Sequence, residues 1–345
     1  MKILLVNNMA PFVWGGAEEL VVNLQKQLVL AGHEAEIIRI PFQWEPAERI
    51  PSQMLMVRSM ELYNVDRVIA FKFPAYLIRH PHKTLWLVHQ YRQAYDLYDA
   101  GQSNLCGGEE KKNIRNCIIN ADNLCFSECQ SIYTISEITS ERLRSYNKIN
   151  ASPLELPIND ELLFKNESYG NYILVNGRIN KMKRQALLVD ALALTKMPVR
   201  LVIAGPADNE QEFMLLQDRI HKYHLENRVY LDIRFLPRSE YAHYLNNALA
   251  VACIPFNEEY GYVVAREASC AEKAILSTTD SGGILGIAKD KVTGRVVQPT
   301  AEALAHALDD IWENRMQTMQ YGRTARDVWH EMGINWPNTL EALLR

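Results

Sequence analysis

The sequence predicts an α/β fold of two lobes facing a central cleft, each lobe a parallel sheet covered by helices on both faces. Three observations predict it. Short β-type runs alternate with helical stretches along the whole chain. The alternation starts afresh near residue 172, after a stretch marked by prolines. At 345 residues the chain is too long for one ordinary core and suits two lobes of about 150 to 200 residues each.

In the first half the strands are expected at 2–6, 34–40, 67–70, 84–88 and 131–135. Between the first two, residues 17–31 carry Leu20, Val21, Leu24, Leu28 and Val29 at helical spacing, and Gly32 closes that helix from the position after its cap. Residues 151–160, with Pro153 and Pro157, read as the linker. The second half repeats the architecture. Strands are expected at 172–176, 199–204, 229–232, 249–254 and 274–277, and helices at 187–194, 211–224, 240–247 and 261–270. The tail from Ala301 is helical by composition, and Pro337 ahead of Leu340, Leu343 and Leu344 marks a fresh helix start. The expected division is thus a first lobe over 1–158, a second over 159–320, and a tail over 321–345 that packs back on the first.

An apolar content of 48% with 23% charged residues is that of a soluble globular chain. A net charge of −4 gives no basic stripe for nucleic acid, so no nucleic-acid partner is expected. No run approaches the roughly 20 apolar residues of a spanning helix. The amino terminus turns polar at Asn7 and Asn8, too soon for a signal peptide, and reads as the first strand. The charges of Glu109 to Arg115 nearly cancel, which fits a solvated helix better than a membrane-binding face, so peripheral membrane contact is left open. The six cysteines include one close pair, Cys125 and Cys129, with no second pair at zinc-site spacing; buried, reduced thiols of a cytoplasmic protein are expected.

The stretch richest in chemistry is Asn257-Glu258-Glu259-Tyr260-Gly261-Tyr262-Val263-Val264-Ala265-Arg266-Glu267-Ala268. It sets carboxylates in a loop after a buried apolar run, then a glycine, then a third carboxylate in the first turns of a helix. The acids then stand at the carboxyl edge of a sheet, where open α/β folds bind ligands. Such carboxylates grip sugar and ribose hydroxyls while the amides of the helix start face a phosphate. A second loop, Asn176 to Gln185, carries Arg178 and Lys183 ahead of another helix. A forked guanidinium, an ammonium and a helix end suit a diphosphate. The plain alternative is a solvated basic turn of Lys181, Lys183 and Arg184.

Arg178 and Lys183 in the order Gly-Arg-x4-Lys, then Val202-Ile203-Ala204-Gly205, the glutamate loop, Thr279-Asp280-Ser281-Gly282-Gly283 and Val292-Thr293-Gly294 together resemble the donor lobe of retaining GT-B glycosyltransferases, glycosyltransferase family 4. In the first half Gly15-Gly16-Ala17-Glu18, Gly32-His33, Leu87-Val88-His89-Gln90 and Thr134-Ile135-Ser136 fit as well. The resemblance implies an acceptor lobe followed by a nucleotide-sugar donor lobe. It gives Arg178 and Lys183 the diphosphate and leaving group, Glu267 the ribose hydroxyls, and the loop glutamate the transferred sugar. The amides of Tyr260, Gly261, Tyr262 and Val263 would face the sugar and distal phosphate, and His89 the sugar's primary hydroxyl. Gly15 and Gly16 would let a loop approach the donor, and the base would lie by the loop of Phe235. One spacing departs from the family. Glu258 keeps the distance to the glycine and Glu259 the distance to Glu267, as if one residue were inserted after Gly261. Glu258 is favoured, because the glycine turn fixes where the loop carboxylate points. Glu272 stands where the family has a small residue.

The chain has no Asp-x-Asp, the motif with which metal-dependent transferases hold their cation. No metal and no resident cofactor are therefore expected. The implied activity is transfer of a hexose from a nucleoside diphosphate sugar, UDP- or GDP-linked, to a saccharide or lipid-linked saccharide, with retention. The rival readings are a nucleotide-sugar epimerase or phosphorylase on the same scaffold, and a non-catalytic binding protein.

Overall fold

The computed structural model describes residues 1–258 and 262–345, with the side chains of Tyr262 and Val263 also outside the described set. It divides into two compact units, Met1–Pro157 with Ile334–Arg345, and Ile158–Gly333.

The first unit runs β1 (Lys2–Met9), α1 (Gly16–Leu30), β2 (Glu34–Pro41), α2 (Ile50–Arg58), β3 (Arg67–Lys72), β4 (Lys83–His89), α3 (Asp96–Asp99), α4 (Glu109–Ser127), β5 (Ser131–Thr134), α5 (Glu137–Asn147) and β6 (Ser152–Pro153). Its six strands pair in parallel in the order β2-β1-β3-β4-β5-β6. Central strands of such a sheet are covered on both faces, which is why β1, β3 and β4 are near-continuous apolar runs. Helix α1 buries Leu20, Val21, Leu24 and Leu28 but leaves Val29 exposed. It ends as expected: Gly32 has φ 84°, and the His33 amide donates to Leu28 O at 3.0 Å. Helix α4 buries one stripe, Ile114, Ile118, Asp122, Cys125 and Phe126, so the charged run 109–115 is its solvated opening.

The second unit runs β7 (Ile173–Asn176), α6 (Gln185–Leu194), β8 (Leu201–Ala204), α7 (Glu210–Lys222), β9 (Val229–Asp232), α8 (Arg238–Asn246), β10 (Ala250–Ala252), α9 (Tyr262–Cys270), β11 (Ala274–Thr278), β12 (Gly294–Val297), α10 (Ala301–Glu313) and α11 (Arg315–Glu331). The strands are again all parallel, ordered β12-β11-β10-β7-β8-β9. Counted within the unit that is the doubly wound order 3-2-1-4-5-6 read from its other end, with the reversal between β7 and β10. A separate core of Ile173, Leu188, Leu192, Leu201, Ile203, Leu216, Leu304 and Leu308 holds the sheet to its helices. Strand β12 was not among the expected strands. It begins on Gly294, where a Cβ would fall 2.0 Å from Ile275 O, so the edge strand closes on β11 only without a side chain there.

The last helix, α12 (Trp336–Leu344), belongs to the first unit. Asn335 caps it, Leu340 and Leu343 are buried, and Thr84 Oγ1 donates to Leu343 O at 3.2 Å. The return starts at Ile334, later than the expected 321, because α11 stays with the second unit. Gly322 seats α11 on the turn before β11, where a Cβ would come within 2.0 Å of Glu272 O.

Candidate functional site

At the reversal of the second sheet, loops leave the carboxyl ends of β7 and β10, and a third loop after β11 locks them together. The first loop begins at Gly177, against which Gly205 packs after β8. Gly205 has φ 136°, and a Cβ there would lie 2.4 Å from Gly177 O. This close approach brings Asp208 beside the loop. Its carboxylate takes Arg178 Nη1 at 3.1 Å and Asn180 Nδ2 at 2.8 Å. Arg178 remains 56% exposed.

Lys183 Nζ lies 2.5 Å from Glu258 Oε2, with the two side chains 23% and 19% exposed. Two of the expected site residues, 75 positions apart, are thus in direct contact. Arg184, read as part of a solvated turn in the plain alternative, is instead the staple of the site. Its backbone is left-handed, φ 57°, which turns the side chain inward at the start of α6. Nε donates to Ile254 O at 2.8 Å, Nη2 to Pro255 O at 2.8 Å and to Thr278 Oγ1 at 2.9 Å. Both terminal nitrogens grip Asp280, at 2.9 and 2.8 Å. The Arg184 guanidinium holds the Asp280 carboxyl below the usual carboxylate range, against the opposing effect of burial. Lys181 stays exposed.

The β11 loop fastens the backbone of the glutamate loop. The Asn257 amide donates to Asp280 O at 2.8 Å, and the Gly283 amide donates to Glu258 O at 2.9 Å. Gly282 between them has φ 78°, and a Cβ there would fall 2.6 Å from Glu258 O and 2.7 Å from Glu258 N. Glu258 is thereby the loop glutamate whose position is fixed on the described side. Glu259, Tyr260 and Gly261, and the side chains of Tyr262 and Val263, lie outside the described residues.

Glu267, on α9, is 2% exposed. Arg238 Nη1 approaches Oε1 at 2.6 Å and the Tyr241 hydroxyl donates to Oε2 at 2.6 Å, both from the first turns of α8. Arg238 also donates to Asn159 O at 2.9 Å and lies over the Phe164 ring at 4.6 Å. Burial pushes the Glu267 carboxyl up, and Arg238 opposes it. Among the described residues each carboxylate oxygen takes one of these side-chain donors, and a carboxylate oxygen has two acceptor directions. Phe235, in the loop between β9 and α8, is 72% exposed.

The remaining expected residues stand at the carboxyl edge of the first unit's own sheet. His89 ends β4, with Nδ1 2.6 Å from Gln90 O. A carbonyl only accepts, so Nδ1 carries the proton and Nε2 is left as an acceptor. Burial, reinforced by Lys72, pushes the imidazole down to about 4. Gly15 caps α1 with extended backbone, φ −155°, and its amide donates to Glu18 Oε2 at 3.0 Å. Any residue adopts that conformation, so glycine at 15 is not required by φ. Gly16 is exposed at the first position of α1.

Sequence reasoning missed Arg184, Asp208, Asp280, Arg238 and Tyr241 as site residues. Asp280 stood inside a quoted motif and Arg184 beside Lys183, so both had a signal. Arg238 and Tyr241 had none, because nothing in the chain tells α8 to face α9. Among the described residues no group of three or more His, Cys, Asp or Glu side chains is placed to hold a metal ion. Two concavities of about 390 and 310 Å³ lie away from these loops, at the amino edge of the first sheet near Lys2, Glu34 and Tyr63, and between α6 and α7 near Asp190 and Arg219.

Residues 159–328 match the family Glycosyl transferases group 1. Over 156 residues the chain is 30% identical to a D-inositol 3-phosphate glycosyltransferase of Jonesia denitrificans, covering 41% of this chain and 35% of that protein. Over 163 residues it is 24% identical to an O-antigen chain mannosyltransferase C of Escherichia coli, covering 47% and 42%. The matched stretch therefore spans well under half the length of either relative. Among solved structures, Anabaena HepE in complex with UDP and glucose superposes with a TM-score of 0.75 at 16% identity, over 100% of this chain and 98% of that one. A sucrose-phosphate synthase from Thermosynechococcus elongatus does so with 0.77 at 16% identity, over 99% and 97%. The chain accordingly has the GT-B fold of two Rossmann-like lobes, and residues 159–328 of its second lobe form a glycosyl transferases group 1 domain.

Proposed function

We propose that this protein is a retaining hexosyltransferase of glycosyltransferase family 4. It moves a hexose from UDP or GDP to a hydroxyl of a saccharide or lipid-linked saccharide, without a metal ion, in the synthesis of cell-surface polysaccharide or glycolipid. The observation that carries the reading is the Lys183–Glu258 pair at the reversal of the second sheet, with Arg178 on the same loop as Lys183. The E. coli relative, an O-antigen chain mannosyltransferase, supports the saccharide acceptor, and the UDP and glucose bound by Anabaena HepE support the donor.

In this mechanism the donor diphosphate replaces Glu258 as the partner of Lys183 and draws in Arg178. Glu258, released, accepts hydrogen bonds from the hydroxyls of the transferred sugar. Glu267, held by Arg238 and Tyr241, offers its remaining lone pairs to the ribose diol. The acceptor oxygen forms its bond to the anomeric carbon on the face from which the phosphate departs. The acceptor's proton passes to the leaving phosphate oxygen, whose negative charge Lys183 and Arg178 stabilise. His89, neutral with Nε2 free to accept, takes a hydrogen bond from the sugar's primary hydroxyl. The work is done in the cytoplasm or at the inner face of the membrane. Among the described residues no helix is long and apolar enough to cross a membrane.

Calorimetric titration with UDP, GDP and ADP, with and without EDTA, tests the donor site, repeated on Glu267→Ala. Binding of one nucleotide that ignores EDTA and weakens in the variant is expected, and sugar nucleotides of that base then give turnover. Absence of binding to all of them overturns the reading. Binding without turnover on any acceptor makes the chain a carbohydrate-binding relative instead.

A further inference from the structure

The first unit buries an ammonium beside thiols. Lys83, the first residue of β4, is 0% exposed. Its Nζ donates to Tyr76 O at 3.2 Å, to Ile78 O at 2.9 Å and to Cys125 Sγ at 3.3 Å. None of these three neighbours is a carboxylate, so the formal charge of Lys83 faces two carbonyls and a sulfur. Cys125 is itself buried and donates to Tyr76 O at 2.9 Å. Cys129 follows one turn later, just past the end of α4, with Sγ 3.3 Å from Cys125 O. It is partly exposed, whereas Cys125 is sealed. The neighbouring Cys125 side chain holds the Cys129 thiol below its ordinary value, with the Lys83 charge acting in the same direction and burial and Glu128 against it; Cys125 is pushed up. A reachable sulfur one turn from a buried thiol that touches a cation is an arrangement in which oxidation is selective.

We propose that Cys125 and Cys129 form an oxidation site, in which Cys129 attacks hydrogen peroxide and Cys125 resolves the product to a disulfide. The Cys129 thiolate displaces hydroxide from hydrogen peroxide, giving a sulfenic acid. The Cys125 sulfur then attacks the Cys129 sulfur, and its proton leaves with the hydroxyl as water. In sum two thiols and one peroxide give one disulfide and two waters; each sulfur is oxidised by one electron and the peroxide oxygens take both. Lys83, which touches Cys125 Sγ, stabilises that sulfur as it attacks, and Cys125 stands one turn from Cys129, whose Sγ lies 3.3 Å from Cys125 O. The nearby Glu128 is paired with Arg58 and also feels the Lys83 charge.

The test uses the full chain with Cys117→Ser, because exposed Cys117 would share a tryptic peptide with the pair. After brief peroxide treatment and alkylation, the peptide from Asn116 to Arg142 is weighed. It should be lighter by two hydrogens and carry no alkyl group, and dithiothreitol should restore two alkylation sites. Wild-type Cys117, oxidised in parallel, shows that the dose was sufficient. Two alkylated thiols at that dose would overturn the proposal, as would a sulfinic acid on Cys129 with Cys125 alkylated. Lys83→Met should slow closure about tenfold, and Lys83→Arg, which keeps the charge, should not. An unchanged rate in a folded Lys83→Met protein would remove the lysine from the scheme.

Discussion

The two sheets are built alike, six parallel strands each, yet their carboxyl edges are furnished in different ways. In the second unit the edge is a web of charge: Arg178 with Asp208, Lys183 with Glu258, Arg184 with Asp280. In the first, the expected residues are a neutral imidazole and two glycines. The contrast follows from what each edge is proposed to meet. A diphosphate carries charge that only fixed cations offset well, and those cations need carboxylates to hold them while no ligand is bound. A sugar hydroxyl asks only for an oriented acceptor, which a histidine held neutral supplies at lower desolvation cost.

Replacing Lys183 with Ala should make the largest difference. Turnover should fall by about 10² to 10³, the usual effect of losing one preorganised donor, while the thermal midpoint barely moves. Turnover close to that of the unaltered protein would place the leaving-group charge elsewhere.

Arg184→Gln probes the same edge for stability. It strands the Asp280 carboxylate and the Ile254 and Pro255 carbonyls, so denaturant unfolding should show a loss of about 2 to 3 kcal/mol. A loss under half that would mean the three loops hold without their staple. Acid has a related effect. The Asp280 carboxyl is depressed in the folded state, so its stabilisation is present above the ordinary carboxylate range and disappears as pH falls through the folded value. Asp280→Asn should flatten that acid limb.

The histidine edge should respond more quietly. His89 is depressed to about 4, so between the unfolded value near 6.5 and 4 the unfolded chain takes a proton that the folded chain refuses. The first unit should lose stability as pH falls through that window, by about 2 kcal/mol at most once partial solvent access is discounted. His89→Gln should remove this loss. Turnover should show no titration of this residue between pH 5 and 8, and a limb near 6.5 that vanishes in the variant would contradict a neutral His89.

Much of this architecture was legible in the chain. The apolar runs around Leu5, Ile69, Leu85, Leu174, Ile203 and Ile275 are strands because both sheet faces are covered, and that leaves a strong pattern. Gly32, Pro337 and the Gly282-Gly283 pair also announced their places. Arg184 was harder to read, since a basic residue in a basic run looks solvated until a left-handed backbone turns it inward. Strand β12 is four residues long and depends on Gly294 having no side chain, a requirement set by β11 and not by local propensity. Arg238 and Tyr241 reach Glu267 through the packing of α8 on α9, information that no stretch of either helix contains. The return of the chain at Ile334 depends likewise on the seat Gly322 finds at Glu272.

The fastening at Gly282 has a consequence for observing the site. The amides of Asn257 and Gly283 belong to loops, where backbone protons ordinarily trade with solvent quickly, yet each is tied to a carbonyl across the clamp. Their deuterium uptake reports the opening of this one fastening, separately from the unfolding of the sheet beneath it. Those two positions form a built-in gauge, readable residue by residue, of how firmly Glu258 is held with and without added nucleotide.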